Sequence, residues 1–356
     1  MSNYIEYKDK MAFHPGYYIK EFIDETGLTQ EEFAIRLGTT PKNISILVRG
    51  EQSISVDIAT KLSRMLGTSV VYWLNIQNMY DSVLAEMNSD ELLNDEKEIF
   101  KSIDYSYFRK YFGLPNLPRK TDEQIKELRT FLNVSSLTYF NQPNLEVSFR
   151  NASEQMTAAN IIRANMMVQI ASNKSLKEKT NKFNKKMFEE AADKAAELTC
   201  DHASFDKTIK KLFADAGVSF VIMPNLPGSK TNGATKKMGD FIMLMVNDRR
   251  LYADTFWFTL FHEIGHILNG DYGISFDKEI GDKELLADEY AKNKLIPSDS
   301  YERFISQGVF TRSSIVRFAH EINRAPGIIV GRLQHEKYIK DNDPTYNSLR
   351  VKYKVL

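Results

Sequence analysis

The chain has 356 residues, 42% hydrophobic and 26% charged, which suits a globular protein of two or three domains. Its 47 Lys+Arg balance 47 Asp+Glu, so overall charge argues neither for nor against a nucleic-acid partner. The single cysteine, Cys200, excludes an internal disulfide framework. With no signal-peptide core in residues 1–10 and no apolar run long enough to span a bilayer, a cytoplasmic protein without a membrane partner is expected.

Residues 1–85 read as a polar tail and five short helices. After His14-Pro15-Gly16, an amphipathic run covers Tyr17 to Glu25 and stops at Thr26-Gly27. Thr29-Gln30-Glu31-Glu32 has the spacing of a capping box, and the helix that it opens closes at Gly38. Thr40 caps a third helix with Pro41 in its first position. Ser55 caps a fourth, ended by Gly67, and a fifth contains Tyr72, Trp73 and Leu74.

Two helices joined by a tight turn and flanked by support helices form a helix-turn-helix. Its recognition helix would offer Thr40, Lys42, Asn43 and Ser45 to base edges and phosphates, with Arg49 for a phosphate. The alternative is a small helical bundle used only for protein contacts. There are 8 Lys+Arg against 10 Asp+Glu in residues 1–85, so no broad basic footprint decides between them. From His14-Pro15-Gly16 through Gly50 to Tyr72-Trp73-Leu74-Asn75, the segment resembles the HigA-type antitoxin domain of the Xre helix-turn-helix class. The resemblance implies a homodimer bound to a palindromic operator, commonly its own promoter.

Residues 86–215 read as a lysine- and glutamate-rich helical connector. Helices are expected over Thr121 to Asn133, with a capped start, over Ala158 to Ser172 and over Phe183 to Leu198. Lys174 to Lys186 carries six lysines, read as a solvated face.

The chemistry lies further on. Residues 217–223 and 241–246 read as strands, with a Gly- and Lys-rich loop over Leu226 to Met238 acting as a flap. An edge strand beside the site would hold an extended substrate. Next comes a helix starting near Asp254 as N-cap and containing His262-Glu263-Ile264-Gly265-His266. Histidines four apart share one helix face and can bind one zinc ion, while the glutamate between them can take a proton from a metal-activated water. The alternative, two buried core histidines and a carboxylate with other partners, is costly without a metal or a dense hydrogen-bond network.

For the third ligand, Glu284-Leu285-Leu286-Ala287-Asp288 puts Glu284 and Asp288 on one helix face. Glu284 would complete a two-His, one-Glu site, and Asp288 would accept the free ring N–H of a ligand histidine. Asp282 and Glu289 are competitors on other faces. The ligand types suit Zn2+ and also accept Mn2+ or Fe2+.

Phe256 to His266, Glu284 to Ala291, Leu295-Ile296-Pro297 and Ala325 to Leu333 together resemble the ImmA/IrrE metallo-endopeptidases. Members of that family cleave helix-turn-helix repressors or antitoxins. The expected fold is therefore α+β and mainly α: a five-helix helix-turn-helix domain over 1–85, a helical connector over 86–215, and a zincin-like metallopeptidase domain with a small β-sheet over 216–356. Zinc on His262, His266 and Glu284 would activate water, with Glu263 as the base, against a regulatory protein substrate or toxin partner. The rival reading is a non-proteolytic repressor or antitoxin whose peptidase-like part senses a signal or binds a toxin.

Overall fold

The computed structural model describes residues 3–142, 156–249, 252–276, 281–341 and 343–353. The chain divides into two compact units, Met1–Asp95 and Glu96–Leu356.

The first unit opens with an antiparallel hairpin, β1 (Tyr4–Tyr7) and β2 (Lys10–Phe13), where the sequence suggests only a polar tail. Five helices follow: α1 (Pro15–Thr26), α2 (Gln30–Leu37), α3 (Pro41–Val48), α4 (Val56–Leu66) and α5 (Val70–Phe100). The capping signals act as expected. Thr29 and Glu32 cap α2 reciprocally, Thr40 accepts from the Asn43 amide, and Ser55 accepts from the Ile58 amide. Ile19, Phe33, Ala34, Ile44, Leu47, Leu62 and Trp73 form the core.

The fifth helix departs from expectation. It runs for 31 residues, so the boundary expected at 85/86 falls inside it. No glycine or proline interrupts Val70–Phe100. The hairpin also braces it: Lys8 pairs with Asp90 at 2.6 Å, Lys10 with Glu86 at 2.7 Å, and the Tyr7 hydroxyl donates to Asp90.

The second unit begins with α6 (Tyr105–Phe112), α7 (Thr121–Leu132), α8 (Ala158–Ser175), α9 (Lys185–Glu197) and α10 (Phe205–Asp215). The start of α7 has no side-chain cap, Lys120 standing at that position. The lysine run over 174–186 spans the end of α8, a stretch without regular structure and the start of α9.

A four-stranded sheet has the order β3 (Val218–Met223), β5 (Phe241–Asn247), β4 (Thr231–Met238), β6 (Gly273–Phe276). β3 and β5 are parallel, and β4 is antiparallel to both its neighbours. The expected flap over 226–238 is thus corrected: its second half is an interior strand. Thr-Asn-Gly-Ala-Thr-Lys-Lys-Met has little strand preference of its own, and pairing on both sides supplies what the composition lacks.

The remaining helices are α11 (Ala253–Leu268), α12 (Asp282–Leu295), α13 (Ser298–Ser306), α14 (Arg312–Glu321), α15 (Pro326–His335) and α16 (Pro344–Asn347). Ile242, Leu244 and Val246 of β5 share a core with Trp257, Leu260, Phe261 and Ile264 of α11. Met243 and Met245, on the alternate face, are equally buried, and α8 packs on β3, β4 and β5. Phe188 of α9 and Phe213 of α10 belong to the same core as α11. The 96–215 segment therefore packs as part of one unit with 216–356.

One further expectation changes. Asp254 does not cap α11: Tyr252 stands there without a side-chain bond, and Asp254 is buried inside the first turn. The segment over 343–353 packs on α10 and α11. The Ala253 amide donates to the Val351 carbonyl at 2.8 Å, and the Tyr353 ring stacks on Phe205 at 5.1 Å. No helix among the described residues is long and apolar enough to cross a membrane.

Candidate metal centre

Two helices build the centre by approaching closely. A β-carbon on Gly265 of α11 would lie 3.1 Å from the Cα of Ala287 on α12, so this spacing requires small residues on both sides. The close approach brings Glu284 against the His262–His266 face. His262 Nε2 and His266 Nε2 are 3.0 Å apart, and the Glu284 oxygens lie 3.1 Å from the first and 3.3 Å from the second.

These separations match a shared ion. Ligand atoms 2.0–2.1 Å from a tetrahedral zinc lie about 3.3 Å from one another. Both outer ring nitrogens are also held. His262 Nδ1 donates to Asp288 at 2.8 Å and His266 Nδ1 to Asp271 at 3.2 Å, which leaves each Nε2 for the shared point. The buried Oε1 of Glu284 faces His266 Nε2 at 3.3 Å, and a cation between them would satisfy both. The donor set therefore fits a divalent transition metal. Asp282 and Glu289 are exposed elsewhere on α12.

Electrostatics tie the three groups together. Burial works against a charged His262, yet its hydrogen bonds to Asp288 and Glu284 outweigh that, and its pKa is pushed up to about 10. Burial likewise disfavours an ionised Glu284, but hydrogen bonds from His262 and His266 hold its carboxyl well below the usual range. A metal ion would replace the protons that link these side chains.

Glu263 is placed differently. It is fully buried, and a β-carbon on Gly233 of β4 would lie 2.5 Å from its Oε1, so the strand needs glycine there. It does not line the cavity that opens beside the other three.

That cavity measures about 500 Å3. His262, Glu284 and Asp288 line it together with Lys292, Arg332 and Arg350. Asn232 of β4 and Ser275 of β6 also line it, so the edge strand at the site is β6, which the sequence reading places outside any strand. Sequence reasoning also misses Asp271 and Arg350. Asp271 directly follows the Asn269-Gly270 end of the histidine helix, a position where an acid could have been nominated. Arg350 carries no local signal. It pairs with Asp254 at 2.7 Å across 96 residues.

In the first unit, α3 presents the five residues expected to meet DNA. Thr40 and Lys42 are exposed, but the Thr40 hydroxyl is engaged as the helix cap. Asn43 Nδ2 donates to Thr39 at 2.9 Å. Arg49 donates to Ser45 at 2.6 Å and holds Glu51 through two bonds of 2.8 and 2.9 Å, an exposed pair that a phosphate could replace.

The family model described as Helix-turn-helix matches residues 19–73. The chain is 37% identical over 83 residues to the HTH-type transcriptional regulator YddM of Escherichia coli (strain K12), covering 23% of this chain and 88% of that protein. In its N-terminal unit the chain belongs to the helix-turn-helix family. This helix-turn-helix unit is also 29% identical over 86 residues to antitoxin HigA-1 of Vibrio cholerae, covering 24% of this chain and 81% of that one. Among solved structures, the unit is similar to the Pseudomonas aeruginosa antitoxin HigA with its higBA promoter, at 28% identity and a TM-score of 0.22, over 24% of this chain and 92% of that one.

Proposed function

We propose that this chain joins an operator-binding antitoxin or repressor domain to a metal-dependent endopeptidase. The observation that carries the enzymatic half is the gathering of His262 Nε2, His266 Nε2 and the Glu284 carboxylate within 3.0–3.3 Å of one another, beside a cavity of about 500 Å3. Zinc is the metal expected on these ligands, and it would supply Lewis acidity that acidifies water and polarises a peptide carbonyl. Asp288 and Asp271 hold the two rings in the ligating tautomer. Glu263 takes the proton that water loses and returns it to the leaving amine. The substrate would be a regulatory protein: a repressor, an antitoxin or a toxin partner.

The DNA-binding half rests on the family match and on the capped α2–α3 pair. It would act as a cytoplasmic homodimer on an operator, its own promoter first. The test is a gel shift with the region upstream of its own gene, where binding must weaken steeply as salt rises.

One observation favours the non-proteolytic alternative: the Glu263 carboxylate is buried against Gly233 of β4 and off the cavity wall. The two readings separate in one experiment. Purified protein is assayed for bound metal and for cleavage of neighbouring-gene products, alongside Glu263→Gln. The enzyme reading expects full metal content in both and a loss of at least about a hundredfold in cleavage by the variant. No cleavage by either with metal bound favours the alternative, and equal cleavage by both removes Glu263 from the mechanism.

A further inference from the structure

The cavity wall changes sign along α12. Glu284, Asp288 and Lys292 follow one another at intervals of four, so they share a helix face, and all three line the cavity. Glu284 is engaged by both histidines and Asp288 by His262. Lys292 is partly buried, and among the described residues its ammonium has no ion pair or hydrogen bond. The other cations at this end have partners: Arg350 holds Asp254, and Arg332 holds Glu336 at 3.0 Å while lying 3.6 Å over the Tyr301 ring. Leu295, Ile296 and Ile328 add apolar lining to the same cavity.

A partly buried lysine in a cavity with apolar lining and paired guanidinium groups is a seat for a carboxylate on an aliphatic stem. We propose that the cavity selects peptides carrying a carboxylate near the cleaved bond, with Lys292 as the residue that reads it. This deepens, and rests on, the reading of the metal centre as a peptidase site. Lys292 stands two turns beyond Glu284, about 12 Å along the helix axis. An extended peptide covers that in about four residues, so the carboxylate belongs within about four residues of the scissile bond. Glutamate suits it better than aspartate, because its longer stem can meet the apolar lining while its head reaches Lys292.

The test compares matched peptides on the zinc-loaded full chain. One carries Glu at a varied position, its twin carries Gln there, and a third replaces the side-chain carboxylate with a free C-terminus. Binding is read by fluorescence anisotropy on Glu263→Gln protein, so the measurement does not depend on turnover. The wild-type sequence at 292 is expected to prefer Glu over Gln by about tenfold, the worth of one hydrogen bond to a charged group. Lys292→Glu should invert that ratio and Lys292→Arg should keep it. If the free C-terminus outcompetes the Glu side chain, the carboxylate that Lys292 reads is the terminal one, and the choice of carboxylate is still carried by Lys292. Equal binding of Glu and Gln twins, including no binding by either, overturns the proposal, as does a preference that survives Lys292→Glu. A preference for Glu with no cleavage by the unmutated protein would instead sink the peptidase reading while leaving the selectivity in place.

Discussion

The caps that shape the α2–α4 helices and the polar pairs that build the metal centre act over different ranges of sequence. In the first, the bonds that start helices join near neighbours: Thr29 with Glu32, Thr40 with Asn43, Ser55 with Ile58, each three residues apart. In the second, His262 leans on Asp288 across 26 residues and Asp254 on Arg350 across 96. Local caps shape a small domain cheaply and fail gently. Long-range charged pairs build a centre that needs most of its unit in place at once.

Each unit contains one of the chain's two tryptophans, Trp73 and Trp257, so Trp73→Phe and Trp257→Phe backgrounds report each unit's unfolding separately by fluorescence. The contrast is tested hardest by Arg350→Ala. It leaves the Asp254 carboxylate, 6% exposed, without its counter-charge, and should cost about 3–5 kcal/mol in the transition seen by Trp257. The transition seen by Trp73 should stay where it is. A shift of both, or of neither, would undo the distinction.

Acidity should separate the units next. In metal-free protein, the raised pKa of His262 contributes stability that is full below its ordinary 6.5 and is lost as pH rises through about 10. The depressed Glu284 contributes stability above its ordinary 4.5 that is lost as pH falls below it. With chelator present, thermal unfolding seen by Trp257 should therefore be latest between about pH 4.5 and 6.5. Added zinc should reverse the alkaline decline, because binding must displace the His262 proton and becomes easier as pH rises. His14 works the other way. Burial lowers its pKa, and its neutral Nδ1 accepts from the Gly16 amide, so the first unit should weaken as pH falls below 6.5.

Smaller effects sharpen the picture. Gly233→Ala pushes a methyl group into Glu263 and should cost about 1–3 kcal/mol, with cleavage falling more than stability does. Thr40→Ala removes one cap and should cost only about 1 kcal/mol, seen by Trp73 alone. A Thr40→Ala cost equal to that of Arg350→Ala would contradict the local–distant contrast.

The same difference in range governs what was legible beforehand. The caps of α2, α3 and α4, the histidine pair and the Glu284–Asp288 pair all repeat at helical spacing, and each stands in the sequence where the geometry uses it. The cavity does not. Its lining comes partly from α15 and residue 350, which share no period with α11. β4 was hidden because its residues owe their extension to two neighbours, and α5 because a helix without a stop signal has no readable end. Asp271 lies in a turn, where spacing carries no face.

The clasp of Arg350 on Asp254 also orders events in time. A ribosome delivers the helix-turn-helix hundreds of residues before it delivers position 350, and domains generally fold as units during synthesis, N-terminal first. The first turn of α11 holds a carboxylate with no counter-ion until that arginine emerges. A nascent chain would thus own a finished DNA-reading head while its histidine helix still waits for its last support.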